Sequence, residues 1–238
     1  MNKNLNVIFE NKDIFIVDKQ SYISVLKNDG NIKDITIIDI LKKEFNTNLF
    51  PISTLDYEAT GLVLIAKNKK AYDFVAKQFK QEKVSKIYHI IANGIMDNIE
   101  GTIDRNLIVN EQTTSVNDSG IKSITKYFVI EQFKNFAFVK VLPLTTRKNQ
   151  IRAHFWSIGN TLAIDKVYGS DEPILLSNIK RRYKGIEKEK PLLKRLPLHL
   201  SQIEFVLPGN KEKSVFNSPL PDDISLTLKQ LRKYNKRG

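Results

Sequence analysis

Apolar and polar positions follow two rhythms along this chain. Short apolar runs flanked by polar residues predict strands at Asn6 to Glu10 and Asp13 to Lys19, meeting around Asn11-Lys12. The run Leu62 to Ala66 is continuously apolar and too short for a buried helix, so it predicts a core strand. Lys83 to Gly94 predicts another strand, with Ser85, Ile87, His89 and Ile91 on one face and Lys86, Tyr88 and Ile90 on the other. Ile121 to Gln132 and Phe136 to Leu144 predict paired strands turning near Lys134-Asn135; Leu198 to Leu207 and Ser214 to Phe216 predict two more. Helical periodicity marks Thr36 to Phe45, Lys69 to Gln81 with Ala71, Phe74, Val75 and Phe79 inward, and Asp222 to Tyr234. Between Arg147 and Gly159, the spacing of Ile151, Phe155 and Ile158 predicts a short helix that the glycine stops. Strands broken by a few helices, without regular alternation, imply an α+β fold with a mixed, largely antiparallel sheet.

Neither a repeat nor a low-complexity linker divides the chain, and 238 residues can bury a sizeable core. The expectation is one domain over residues 1–238, with strands starting almost at once. There is no cysteine, which excludes disulfides, thiol nucleophiles and thiolate metal sites. Lys and Arg outnumber Asp and Glu by 38 to 26, for a net charge of +12. That excess suits a polyanionic partner, although a lysine-rich composition alone also produces it. No apolar run reaches membrane-spanning length, and the start Met1-Asn2-Lys3-Asn4 has no apolar signal core. A soluble, cytoplasmic, monomeric protein is expected.

Two segments concentrate candidate chemistry. Asp56 stands just ahead of Ala59-Thr60-Gly61, read as a turn, and of the apolar run. An acid on the loop entering a core strand is held rigidly yet can face a cleft, but Asp also commonly caps a turn. Arg147 and Lys148 open the short helix, where the dipole disfavours cations unless an anion such as phosphate docks there. The densest charge run, Lys180 to Lys190, carries Arg181 and Arg182 beside Tyr183; it reads as a solvated face or a phosphate contact. Of the three histidines, His89 is out of phase with Tyr88 and is expected to pack on the opposite face, while His154 and His199 lack ligand-spaced partners, so local hydrogen bonding is expected and no metal site. Gly159 and Gly169 are isolated and form no phosphate-cradling loop, so no cofactor is expected.

Together these motifs resemble the RluA family of pseudouridine synthases. That family reads roughly His-Arg-Leu-Asp, two variable residues, Thr-Ser-Gly and an apolar strand ending Ala-Lys. Here Leu55-Asp56, Gly61 and Ala66-Lys67 match. Lys86-Ile87-Tyr88 matches the Lys-x-Tyr strand, with Gly94 closing it. Arg147, Gln150-Ile151-Arg152 and His154 match Gly-Arg-Thr-His-Gln-Ile-Arg-x-His, and Asp165 with Tyr168-Gly169 matches Gly-Asp-x-x-Tyr-Gly. Leu198-His199, Phe205, Phe216, Pro219 and Pro221 match the C-terminal signature. The departures are Ser53-Thr54 for His-Arg, Gln20 for the proline after Lys19, Thr146 and Ile164 for glycines, and Lys148-Asn149 for Thr-His.

The resemblance implies the pseudouridine synthase fold, with helices flanking the sheet and an active-site cleft across it, as a single catalytic domain over residues 1–238 without the separate N-terminal RNA-binding domain of many relatives. It implies isomerisation of uridines in structured rRNA or tRNA without metal or nucleotide cofactor. Asp56 becomes the catalytic carboxylate, as nucleophile at C1′ or base at C2′. Arg152 becomes its ion-pair partner, and Tyr88 the residue stacked on a flipped uracil and the candidate base at C5. Lys86, Arg147, Lys148 and Gln150 join Arg181 and Arg182 as expected RNA contacts. Two other readings compete. Ser53-Thr54 fits a catalytically weakened RNA-binding protein acting in RNA folding or ribosome assembly. A glycoside hydrolase using Asp56 and Glu58 is disfavoured, because residues two apart on an extended segment share a side rather than flank a sugar.

Overall fold

The computed structural model describes residues 5–27, 35–45, 48–110, 113–185 and 189–236. They form two compact units, Met1–Lys86 with His199–Pro219, and Ile87–Leu198 with Leu220–Gly238.

The first unit is built on strands β1 (Asn6–Glu10), β2 (Ile14–Lys19), β3 (Phe50–Pro51), β4 (Thr60–Ala66), β11 (Leu198–Val206) and β12 (Lys213–Asn217). Asn11 makes the first turn by accepting the Asp13 and Ile14 N–H groups on its side chain, each at 2.8 Å. β2 pairs antiparallel with β4 from Ile14–Ala66 to Lys19–Gly61, and every residue of both strands is buried. β4 pairs in parallel with β11, the register setting His199 against Thr60 and Leu200 against Gly61. Gly61 is required there: its φ is +113°, and a Cβ would lie 2.2 Å from the Leu200 carbonyl oxygen.

Two helices cover this sheet, α1 (Ile37–Phe45) and α2 (Lys69–Lys80). Asn68 caps α2 by accepting the Ala71 N–H at 2.8 Å, and Ala71 and Val75 face inward. Phe74, expected on that inner face, is 41% exposed. Instead Gln78 reaches β11, its amide bracketing the Val206 N–H and carbonyl at 2.9 Å each.

The second unit is wholly antiparallel. β5 (Ser85–Asn93) pairs with β10 (Phe136–Pro143), β10 with β9 (Ile124–Gln132), and β9 with β6 (Glu100–Asp104). A separate hairpin joins β7 (Leu107–Val109) to β8 (Thr114–Val116). Helices α3 (Gln150–Ser157), α4 (Leu176–Ile179) and α5 (Asp222–Tyr234) complete it. The core gathers Ile91, Phe133 and Phe138 from the sheet against Ile224, Leu228 and Leu231 of α5. Arg195, 2% exposed, anchors the start of α5 through a two-point ion pair with Asp223 at 2.6 and 2.7 Å. The α+β class with a mixed, largely antiparallel sheet follows the sequence expectation. Among the described residues, no helix is long and apolar enough to cross a membrane.

Candidate active site

In the first unit the loop carrying Asp56 is clamped from beneath. Leu55 is buried, Asp56 is half-buried, and the Asp56 carbonyl accepts the Ala59 N–H at 3.0 Å. The turn therefore lies at Asp56–Ala59, and Thr60-Gly61, expected within it, already belong to β4. The cause is Lys19, whose side chain is 0% exposed. Its ammonium donates to the carbonyls of Ala59 (2.6 Å), Gln20 (3.0 Å) and Tyr57 (3.1 Å). A buried cation is tolerable only when its donors are satisfied, so this lysine fixes the backbone on which Asp56 rides. The Tyr57 carbonyl also takes the Tyr22 N–H at 2.8 Å, and the two tyrosine rings meet edge to face at 5.8 Å.

Two further contacts hold the ends of the loop. The Ser53 hydroxyl accepts the Leu64 N–H at 3.0 Å, while Thr54 is exposed. His199 Nε2 lies 3.2 Å from the Ser218 carbonyl, which can only accept, so Nε2 carries a proton. In the neutral ring Nδ1 then accepts from the Thr60 hydroxyl at 3.0 Å. The Ser218 hydroxyl continues the chain to the Asp18 carboxylate at 2.7 Å.

In the second unit Arg152 projects from α3 and is 9% exposed. Its Nε and Nη2 donate to the two oxygens of Asp165 at 2.7 and 2.6 Å, and Nη1 donates to the Asn149 side chain at 3.1 Å. Asp165 is simultaneously the hub of its own loop, accepting the N–H groups of Val167 (3.0 Å) and Tyr168 (3.1 Å). Tyr168 brings in the β7–β8 hairpin. Its hydroxyl donates to the Thr114 carbonyl at 2.7 Å and accepts the Thr114 N–H at 2.8 Å. The Thr114 hydroxyl then donates to the Lys148 carbonyl at 2.7 Å, which ties the hairpin to the approach of α3.

α3 begins later than its sequence suggests. Asn149 adopts the left-handed conformation at φ +54°, and the helix starts at Gln150, so Arg147 and Lys148 precede it. The Arg147 guanidinium turns back onto the Thr146 and Lys122 carbonyls at 2.9 and 3.3 Å, and Lys148 is exposed. Gln150, expected as an RNA contact, is 4% exposed, so that expectation is corrected. Its amide is committed internally, accepting from the Thr145 hydroxyl and donating to Ile124 and Thr125. His154 completes this interior network. Nε2 donates to the Arg105 carbonyl at 3.0 Å, and Nδ1 accepts from the Thr125 hydroxyl at 2.8 Å. Burial, the largest influence, pushes the His154 pKa below its usual range; the bond to Arg105 and the charge of Asp104 oppose it.

Tyr88 lies on β5, half-buried and opposite Val141. His89 points the other way, as its phase requires, and stacks on Phe138 at 5.4 Å. Lys86, also expected at an RNA surface, is 5% exposed with its ammonium 5.6 Å from the Phe79 ring centroid; a solvent-facing phosphate contact is not its position. Arg181 and Arg182 are exposed in a turn, Arg182 at φ +58°. Residues 186–188 of that charge run lie outside the described residues. Sequence reasoning did not assign Lys19 or Thr114 a role. Asp165 and Tyr168 stand out in the sequence only as a motif, and the structure makes them the frame around Arg152.

Residues 13–157 match the family model for RNA pseudouridylate synthases. The chain belongs to that family. It is an isomerase converting uridine to pseudouridine in RNA, and the RluA resemblance read from the sequence is borne out. A ribosomal large subunit pseudouridine synthase D from Buchnera aphidicola is 31% identical over 240 residues, covering 96% of this chain and 73% of that protein. Its counterpart from Blochmanniella floridana is 28% identical over 238 residues, covering 97% and 74%. Among solved structures, human RNA pseudouridylate synthase domain containing 4 superposes with a TM-score of 0.72 at 20% identity, over 95% of this chain and 93% of that one. The fold of this pseudouridine synthase is therefore shared at a distance where side-chain roles must be argued from its own residues.

Proposed function

We propose that this synthase modifies uridines in ribosomal RNA of the large subunit, with Asp56, Tyr88 and Arg152 carrying the reaction. The observation that supports it most is the Asp56 loop, which a buried lysine, a tyrosine amide and the β4 register hold in one conformation. Pre-set geometry of that kind serves a group that must meet a sugar carbon, and an ordinary turn does not need it. The C1′–N1 bond of a flipped uridine breaks, the uracil rotates, and C5 bonds to C1′. N1 gains a proton and C5 loses one. Asp56 acts at the ribose, at C1′ as nucleophile or at C2′ as base. Arg152 supplies the cation of the site, and Tyr88 stacks on the uracil and takes the C5 proton. Lys148, Arg147, Arg181 and Arg182 contact phosphates, and the protein works in the cytoplasm as a monomer.

The alternative reading, an RNA-binding protein of the same fold with weakened catalysis, draws on Ser53-Thr54, since Thr54 is short and exposed. One experiment separates the two: pseudouridine mapping of cellular RNA with and without this gene. Loss of specific large-subunit sites is expected. An unchanged map, with ribosome assembly impaired, establishes the alternative.

A further inference from the structure

Two lysine ammoniums from different elements meet one aromatic ring at the end of α5. Tyr234, the last residue of α5, is half-buried. The Lys180 ammonium, from the residue that ends α4, lies 5.3 Å from its ring centroid, and the Lys233 ammonium lies 5.1 Å away. The β9–β10 turn joins the same end of the unit: the Lys134 N–H donates to the Asn235 carbonyl at 3.0 Å, and Phe133 bridges to Lys236. Lys134, Lys233 and Lys236 are exposed. Among the described residues, no carboxylate pairs with these four lysines. Arg232, by contrast, is engaged by Glu131 through both carboxylate oxygens at 2.5 and 2.8 Å.

Favourable interaction with the helix dipole accounts for Lys233 at the C-terminus of α5. It does not account for Lys180 and Lys134, which arrive at the same place from other elements. Like charges gathered from three elements without acidic partners repel one another, and an arriving polyanion relieves that repulsion. Asp222 and Asp223, the acids of α5, sit at its opposite end, about 16 Å away at 1.5 Å per residue.

We propose that Lys134, Lys180, Lys233 and Lys236, at the Tyr234 end of the second unit, form an RNA-backbone docking surface that grips phosphates outside the reacting nucleotide. The inference rests on the reading that this chain acts on RNA, and adds where RNA outside the reacting nucleotide is held. The ring keeps the Lys180 and Lys233 ammoniums in place through cation–π contact, so less freedom is lost when a phosphate arrives.

The test is the salt dependence of binding to a structured target RNA, measured with the full chain. Wild type is compared with a quadruple variant, Lys134→Gln, Lys180→Gln, Lys233→Gln and Lys236→Gln. A control of equal charge change carries Lys43→Gln, Lys70→Gln, Lys77→Gln and Lys80→Gln on α1 and α2. The plot of log affinity against log salt is expected to become shallower for the first variant, by roughly 0.7 to 0.9 for each lysine that meets a phosphate. Turnover at saturating RNA is expected to stay at the wild-type level. An unchanged slope, or an equal change in the control, overturns the docking surface. If the quadruple variant fails to fold, Lys180→Gln and Lys236→Gln tested singly carry the same comparison. Absence of pseudouridine formation by wild type sinks the activity reading instead, and the slopes still decide the surface.

Discussion

The Arg152 guanidinium and the Asp165 carboxylate meet as a two-point fork, Nε to Oδ2 at 2.7 Å and Nη2 to Oδ1 at 2.6 Å, with the carboxylate side chain 0% exposed. An arginine held this way cannot swing; its orientation is set by the 165–170 loop. On the proposed role of Arg152, Asp165 is a positioning residue that acts on the reaction through that arginine.

Removing one member of a buried pair leaves the other charge uncompensated. Asp165→Ala is expected to cost about 3–5 kcal/mol of stability, read from urea denaturation. Arg152→Lys keeps the charge but loses the fork, so activity falls while stability falls less. A loss below about 1 kcal/mol for Asp165→Ala would mark the pair as no better than a surface bridge.

Roles at the reacting nucleotide separate by substitution. Asp56→Asn is expected to abolish pseudouridine formation while RNA affinity stays nearly unchanged, because it removes chemistry and little contact area. Binding lost in step with activity would make Asp56 structural. Tyr88→Phe preserves stacking and removes the hydroxyl; full turnover by that variant places the C5 base elsewhere.

The loop beneath Asp56 offers an independent check. Lys19→Met removes an ammonium that three carbonyls share and strands those acceptors in a buried site. Both stability and turnover are expected to fall, with RNA affinity less affected. A variant as stable and active as wild type shows that the loop holds its shape without the clamp.

Long periodic segments were legible in the sequence because one buried face dictates their pattern. α5 runs from Asp222 to Tyr234 as its periodicity requires, and β1 and β10 fall within a residue of their expected ends; β2, buried throughout, is legible instead as a short continuous apolar run. Short elements were not: β7 and β8 have three residues each, too few for a period to emerge, and their hairpin is held from outside by Tyr168. Within the candidate site, residue types were legible but commitments were not. Gln150 and Lys86 read as polar and available, whereas the fold buries both. Only three-dimensional pairing identifies Asp165, thirteen residues from Arg152, as its partner.

His154 makes stability respond to acid. The folded protein holds this imidazole neutral and lowers its pKa, chiefly by burial, whereas the unfolded chain takes up a proton near the ordinary value of 6.5. As pH falls through that value the unfolded state binds more protons. The contribution is therefore complete above about 6.5 and is lost as pH drops toward the folded-state pKa. An NMR titration is expected to place His154 below 6.5, and His154→Gln to flatten the pH dependence of stability there. A titration midpoint at or above 6.5 contradicts this.

Thr54 bears on which uridines can be reached. The motif resemblance puts Thr54 where relatives have an arginine, and implies for that arginine a role in entering the RNA and holding the target base outside the stack. Here the side chain is short, and Ser53 beside it is bound to the Leu64 amide. Extruding a base costs a few kcal/mol, least where it is already unpaired. Without a long cation at position 54, that cost is best avoided by choosing a uridine in a loop or in an assembly intermediate. The same target sequence placed in a hairpin loop is therefore expected to react faster than in a duplex stem. Thr54→Arg is expected to narrow the gap by raising the stem rate. Equal wild-type rates on both RNAs mean that another part of the protein supplies the wedge and that Thr54 imposes no restriction.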